Sequence, residues 1–332
     1  MKHIKQTPAG FIVDEFLPNV GWAGGFNSIS CAAGHHLREG RWLLDPKYMR
    51  DYTMFWLRKG GAPRLYSFWI ADSVWQRYCV TGDRAEALDL LPDLIKNYQA
   101  WENEKRDLNG LYWQIDDRDG GELSIGGSGY RVTINSYQYG DARAIARIAE
   151  LAGKLEIARE YNDKAAAIKG LVQQKLWDDR AQFFKVLPKG ENDGRVVPWI
   201  DENLNPTNGD WISRTRLKTW KNGTWDAGKG GEERGKDYNH STYCDLVISG
   251  LIGLRPRADD TVEVNPLVPV HTWDYFCLDR VPYHGHLLTI FYDKTGERYN
   301  RGKGLRVLAD GKEIAASATL AKMTGVLPGK LK

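Results

Sequence analysis

No apolar run in this 332-residue chain is long enough to span a bilayer, and the opening MKHIKQTPAGFIVDEF lacks the apolar core of a signal peptide. A chain with no membrane partner is expected, soluble and cytoplasmic as it stands, and exported only if a leader has been lost. Cysteine is scarce: Cys31, Cys79, Cys244 and Cys277 lie far apart with no CxxC pair, which excludes a disulfide scaffold or zinc ribbon and predicts reduced thiols, buried at Cys31 and Cys79. Histidine is scarce too. Tyr283-His284-Gly285-His286 sets two at i, i+2 without a third ligand, so no metal is expected. Neither sign of charge dominates, 46 basic residues being interleaved with 43 acidic ones, and no stripe for nucleic acid emerges. GGSG is too short to cradle phosphate and DDRDGGE lacks the spaced ligands of an EF-hand. No cofactor is expected.

Aromatic residues, by contrast, abound: 13 Trp and 16 Tyr. Trp22, Trp42, Trp69, Trp113, Trp199, Trp211 and Trp225 fall at turns before helices rather than at core helical spacing. Singly, each is read equally well as packing; as a set they suit a sugar-stacking surface.

Residues 1–27 read as irregular, with Asn27 or Ser28 capping a helix through Leu37. Asp45-Pro46 opens the next helix, which places Tyr48, Tyr52 and Phe55 on one face and stops at Gly60-Gly61. Ser67 starts a helix through Tyr78, and Leu88, Leu91, Ile95, Tyr98 and Trp101 mark an amphipathic one after it. A helix from Ser136 to Ala152 follows, then a break at Gly153 and a partner carrying Ile157, Tyr161, Ile168, Val172 and Leu176. Ser67-Phe68-Trp69-Ile70-Ala71-Asp72 is echoed by Ser136-Tyr137-Gln138-Tyr139-Gly140-Asp141. The repeating unit is a helical hairpin, its first helix apolar all round and inner, its second amphipathic and outer. Such hairpins close into a toroid with polar helix caps gathered around one pocket. Residues 218–236, rich in Gly and charge, read as an exposed excursion. From Thr261 the period changes: VEVNPLVP, LLTIFYD and GLRVLADGKEIA read as strands of a small antiparallel β module, with Asp310-Gly311 as a turn. The fold class is thus mainly α, a helical toroid over residues 1–258, with a β-sandwich-like module over 259–332.

The chemistry gathers between Tyr112 and Asp141. An aromatic pair, Tyr112 and Trp113, precedes Asp116, Asp117, Asp119 and Glu122, then a glycine-rich turn, Tyr130 and Arg131, and a helix signalled by Asn135 and Ser136. Carboxylates, aromatic faces and an Arg on a loop feeding a helix suit a polyol ligand. A second acidic pair, Asp201 and Glu202, lies in VPWIDENLNPTNGDW. Two such loops supply the carboxyl pair that glycoside hydrolysis needs, one protonating the glycosidic oxygen and one activating water.

These stretches carry a resemblance. DDRDGGELSIGGSGYRVTINSYQYGDA, with GWAGGFNSIS, EGRWLLDP and RLYSFWIAD before it and DENLNPTNGDW, YNHSTYCDLVISGLIGLRP and WDYFCLDRVPYHGHLLTIFYDKTGERYNRGKGLRVLADGKEIA after it, resembles the mannosylglycerate-hydrolase-like branch of the six-hairpin glycosidases. The resemblance covers most of the chain. It implies an (α/α)6 toroid and an inverting glycoside hydrolase acting on a small-molecule or oligosaccharide substrate. The family's acid loop, E-S-G-(L/M)-D, falls at Asp119-Gly120-Gly121-Glu122 and implies Glu122 as acid, with Asp119 its rival because the family has Asp there. The base loop, E-Y-x-(D/N)-P-x-T-G, falls at Glu202-Asn203-Leu204-Asn205-Pro206-Thr207-Asn208-Gly209 and implies Glu202 as base. Four inner helices are legible where the family has six, and 190–197 crosses in a few residues a gap that relatives fill with a Trp- and Gly-rich block.

Trp22, Trp69 and Tyr130 are expected as stacking platforms, and Asp72, Arg131 and His240 as readers of hydroxyls or acids. Arg131 is equally read as a structural partner of Asp116 or Asp117, and Asp72 and Asp141 as buried helix partners. Two rival functions stand beside the hydrolase. Tyr238-Asn239-His240 offers the residue types of a polysaccharide lyase, whose product would be unsaturated, and a degenerate carbohydrate-binding protein would bind without turnover.

Overall fold

The structure, a computed structural model, describes residues 3–15, 23–115, 118–120, 128–190, 242–269 and 272–329, and the backbone of 195–196. The chain divides into two compact units: Met1–Gly34, Asp51–Asp72 and Leu90–His240 form the first, and His35–Arg50, Ser73–Asp89 and Ser241–Lys332 the second. Among the described residues no helix is long and apolar enough to cross a membrane.

Where an irregular N-terminus was expected, an antiparallel hairpin stands: β1 (Ile4–Thr7) pairs with β2 (Gly10–Val13), Ile4 opposite Val13. The Thr7 hydroxyl closes the turn, donating to the Gly10 carbonyl (2.8 Å) and accepting from the Ala9 amide (3.1 Å). Four helices follow: α1 (Ser30–Gly40), α2 (Lys47–Arg58), α3 (Ile70–Thr81) and α4 (Arg84–Lys105). Two start later than the cap residues suggest, because those residues are spent elsewhere. The Ser28 hydroxyl donates to the Val13 carbonyl (2.7 Å), Asn27 sits at φ 50 and gives its carbonyl to the Glu15 amide (2.8 Å), and Ser67 bonds a distant carboxylate rather than its own helix. Asp45 does cap α2, accepting the Lys47 amide at 2.9 Å.

In the first unit, β3 (Gln114–Ile115) and β4 (Ser128–Tyr130) pair on either side of the acidic loop and lead into α5 (Val132–Leu151) and α6 (Leu155–Leu171). α5 begins four residues ahead of Ser136, so Asn135 is not a cap. Its side chain lies buried inside the first turns, accepting the Tyr112 amide and donating to the carbonyls of Tyr112 and Arg131. Asn135 thus clips the strand before the loop onto the helix after it. α5 is buried on most sides, from Ile134 to Ala149, whereas α6 buries one stripe, Ala158, Tyr161, Ala165 and Ile168. One helix buried on most sides and one buried along a stripe is the burial pattern that the periodicity predicts for such a hairpin. Gly153, at φ +74, joins the two: its amide reaches the Glu150 carbonyl and the Lys154 amide reaches Ala149, a Schellman closure. Beyond α6 come β5 (Trp177–Asp178), β6 (Phe183–Pro188) and β7 (Arg195–Val196), β6 pairing with β4, β5 and β7.

The second unit carries the β module. Strands β8 (Leu254–Arg255) and β9 (Thr261–Val264) are followed by a meander of β10 (Tyr275–Tyr283), β11 (His286–Asp293), β12 (Gly304–Ala309) and β13 (Lys312–Ser317), and by β14 (Met323–Val326) on β9. Two-residue turns close two hairpins, Asp310-Gly311 as expected and His284-Gly285 besides; all four residues have positive φ, as the twist of a tight hairpin demands. The His pair is structural. The His284 ring bonds the Cys79 and Arg257 carbonyls, and His286 bonds Asp310 at 2.7 Å. A second anchor is Asp245, which accepts from Arg41 (2.5 Å), Trp42 Nε1 (2.9 Å), Arg38 (3.0 Å) and Ser249 (3.0 Å). Burial works to raise its pKa, but the Arg41 charge and the donated bonds outweigh it and hold the carboxyl below its ordinary range.

Candidate active site

The site is built on one stripe of α5. Thr133, Tyr137, Gly140 and Asp141 recur at the three- and four-residue steps that keep side chains on one helix face. Each touches a segment that the sequence marks as chemical.

At the first step, the Thr133 hydroxyl donates to Asp119 Oδ1, and the Ser67 hydroxyl donates to Asp119 Oδ2 at 2.6 Å. The Ser67 amide adds a bond to the Arg118 carbonyl (2.8 Å). Asp119 is 2 % exposed. Two hydroxyls on its two oxygens tie Asp119 to α5 and to the segment before α3. At the second step, the Tyr137 ring lies against Trp69, centroids 4.4 Å apart, and its hydroxyl faces Gly120, where a Cβ would come within 2.8 Å of it. Trp69 in turn covers Gly34, where a Cβ would collide with the indole at 2.4 Å, so only glycine admits this approach. Burial, with Cys31 and Asp119 nearby, pushes the Tyr137 hydroxyl well above its usual pKa and keeps it neutral. At the third step, Gly140 lies beside Asp72, and Asp141 Oδ1 accepts the Asp72 amide at 2.9 Å.

The expected residues divide. Asp72 stands at the start of α3 beside Gly140, whereas Trp69, 9 % exposed, packs between Tyr137 and Gly34 rather than facing outward. Tyr130 and Arg131 are corrected. The Tyr130 ring packs with Leu111, Leu176 and Leu187, its hydroxyl donates to Asp107 (2.7 Å), and burial together with that carboxylate pushes its pKa to about 12. Arg131, 1 % exposed, donates to the Gln114 carbonyl. Both side chains join strands around the loop, and neither offers a face to a sugar. Trp42 is corrected likewise, being core of the second unit, and the Trp113 ring carries the ammonium groups of Lys105 and Lys189, each 3.8 Å from its centroid. Glu122, Glu202, Trp22 and His240, with Asp116, Asp117, Asp201, Trp199, Trp211, Trp225 and residues 218–236, lie outside the described residues.

Sequence reasoning missed the clamp and one carboxyl. Ser67 reads as a helix start and Thr133 carries no signal, because their role exists only once Asp119 folds between them. Glu15, fully buried in the first unit, has its pKa raised from 4.5 to about 8 by loss of solvent. Its signal was an acidic pair, Asp14-Glu15, closing an apolar strand.

Comparison with known proteins follows the same outline. Residues 25–198 match the family described as Mannosylglycerate hydrolase MGH1-like glycoside hydrolase domain. Residues 254–316 match the Glycosyl hydrolase family 65, C-terminal domain. Among solved structures, the chain is similar to one titled "Sialidase", with 33 % identity and a TM-score of 0.83. The alignment covers 99 % of this chain and 40 % of that one, so the chain spans less than half that protein's length.

Proposed function

Because this chain belongs to the mannosylglycerate hydrolase MGH1-like glycoside hydrolases, we propose that it hydrolyses a glycosidic bond with inversion, using Glu122 as acid and Glu202 as base. One observation carries the reading. Within the matched segment Asp119, close before Glu122 in the sequence, is held by the Ser67 and Thr133 hydroxyls. A carboxylate held from two sides at the start of a segment suits a role in positioning a proton donor carried further along it. Asp119 is then the holder of the loop rather than the acid, since both its oxygens are engaged and water scarcely reaches it.

In the proposed reaction the Glu122 carboxyl protonates the glycosidic oxygen as the bond to the anomeric carbon breaks. Glu202 takes a proton from a water that attacks the opposite face, and the product has inverted configuration. This needs the two carboxyls roughly 6.5–9.5 Å apart, wide enough for that water. Trp22 stacks the ring, while Asp72 and His240 bind hydroxyls. The α5–α6 hairpin, one helix buried and one striped, supports the (α/α)6 toroid as the frame over residues 1–258, with 259–332 as its β module. The substrate is a small glycoside or an oligosaccharide.

A panel of aryl glycosides and oligosaccharides, followed by NMR, tests this. Glu122→Gln and Glu202→Gln should each lower turnover by about 10²–10⁴-fold with unfolding midpoints near wild type. The first-formed sugar should be the opposite anomer. Retained configuration, or near-normal turnover in either variant, overturns the assignment.

A further inference from the structure

The four-stranded sheet of the second unit has two unlike faces. Side chains alternate along a strand, and residues paired across strands share a face. Phe276 on β10 and Tyr292 opposite it on β11 turn to the core with Leu288, Ile290 and Val307. The other face of such a sheet is expected to be polar. It carries instead Tyr275 and, diagonal to it, Phe291, with the Tyr299 ring set steeply against both at 6.3 and 5.3 Å. Tyr299 belongs to the connection between β11 and β12, residues 294–303. Asp293, 1 % exposed, shapes that connection by accepting the Gly296 amide at 2.8 Å and the Tyr299 amide at 2.9 Å. Its ten residues, KTGERYNRGK, include four basic side chains and one acidic. Lys294 is spent on Asp274 at 2.7 Å. Arg298 lays its guanidinium over the Tyr275 ring, 4.5 Å from the centroid, and is exposed. Arg301 and Lys303 are exposed too, and no described carboxylate pairs with any of these three. Tyr275 is 48 % exposed, and Trp273, whose ring makes an edge contact with Phe276, is 41 % exposed.

We propose that this outer face of the β module is a binding site for a uronate-bearing polysaccharide. Exposed Trp, Tyr and Arg together are the residue types in which binding surfaces are enriched. Three cations beside bare aromatic surface ask for a ligand with spaced negative charge and apolar ring faces, and a chain of uronate rings has both. A guanidinium takes a carboxylate through two parallel hydrogen bonds, and the C–H faces of sugar rings rest on an indole. The connection is already ordered by Asp293 and Tyr299, so little freedom is lost there on binding. Nucleic acid fits less well, since a small patch on a chain of net charge +3 makes no stripe along a phosphate backbone. A glycan also suits a chain that matches two glycoside hydrolase domains. The site uses neither Glu122 nor Glu202, and it stands or falls apart from the hydrolase reading.

The test is calorimetric titration of the full chain with an oligogalacturonate. Wild type should bind it, at least about threefold more weakly when salt is raised from about 20 to about 200 mM, and should bind a neutral glucan of equal length far less. The double variant Arg298→Ala, Arg301→Ala should lose at least about tenfold in affinity, and Trp273→Ala about threefold. Removing the same charge from exposed positions of α6, in Arg159→Ala, Lys169→Ala, should change affinity by less than about twofold. Arg301→Glu guards against loss by misfolding: it should keep the wild-type Tm and still weaken binding at least about tenfold. No binding by wild type, equal losses in the two double variants, or unchanged binding in Arg301→Glu overturns the proposal. So does equal affinity for the neutral glucan, or tighter binding of a single-stranded DNA of the same charge.

Discussion

Asp119 and Glu15 are both buried carboxyls, and their surroundings give them opposite tasks. Asp119 meets two hydroxyl donors and holds a loop. Asp119→Ala strands those donors and should cost about 1–3 kcal/mol in urea unfolding. Asp119→Asn should lower turnover far less than Glu122→Gln does and leave the alkaline limb of the pH–rate profile where it was. An alkaline limb that vanishes with Asp119 would return the acid's role to it. Glu15 is dominated by desolvation, with a pKa near 8 in the folded chain against 4.5 for the free side chain. The folded state therefore holds a proton between those values that the unfolded state has lost. Stability from this group is whole below about pH 4.5 and declines as pH rises toward 8, by at most about 1.4 kcal/mol per pH unit. Glu15→Gln should flatten that decline, and unfolding midpoints for the two proteins at pH 5 and pH 8 measure it directly.

Among the elements, two glycines show how differently a helix can depend on the same residue. Gly153 closes α5 at φ +74 with open space around its Cβ position, so Gly153→Ala meets only backbone strain, about 1 kcal/mol. Gly34, inside α1, has ordinary backbone, yet a methyl there drives into the Trp69 indole at 2.4 Å. Gly34→Ala should cost about 1–3 kcal/mol by overpacking, more than Gly153→Ala, in denaturant unfolding. Equal losses in the two variants would show that the Trp69 indole yields to the methyl. In the second unit the helical turn at Asp245 depends on charge. Asp245→Ala leaves Arg41 buried beside no carboxylate and should cost about 3–5 kcal/mol, read from denaturant midpoints.

At the scale of the whole chain, its own residues determined a great deal. The switch from helical to alternating period near Thr261, the Gly153 break and the Asp310-Gly311 turn are local effects of backbone and burial, and they are legible wherever one short stretch decides the outcome. The glycosidase family was legible too, and the matches at 25–198 and 254–316 show it, whereas the base-loop motif at 202–209 falls between them. Helix starts were misplaced where a polar residue that could cap its own helix serves another segment, as with Ser67, Ser28 and Asn135. Tyr130 and Arg131 were misjudged for a related reason: side chains that suit a sugar also suit a strand junction, and only burial tells the two apart. The clamp on Asp119 and the bond from the Asp72 amide to Asp141 needed tertiary structure. Their partners stand 52, 14 and 69 residues away, and no local pattern records which hydroxyl or amide a buried carboxyl will meet.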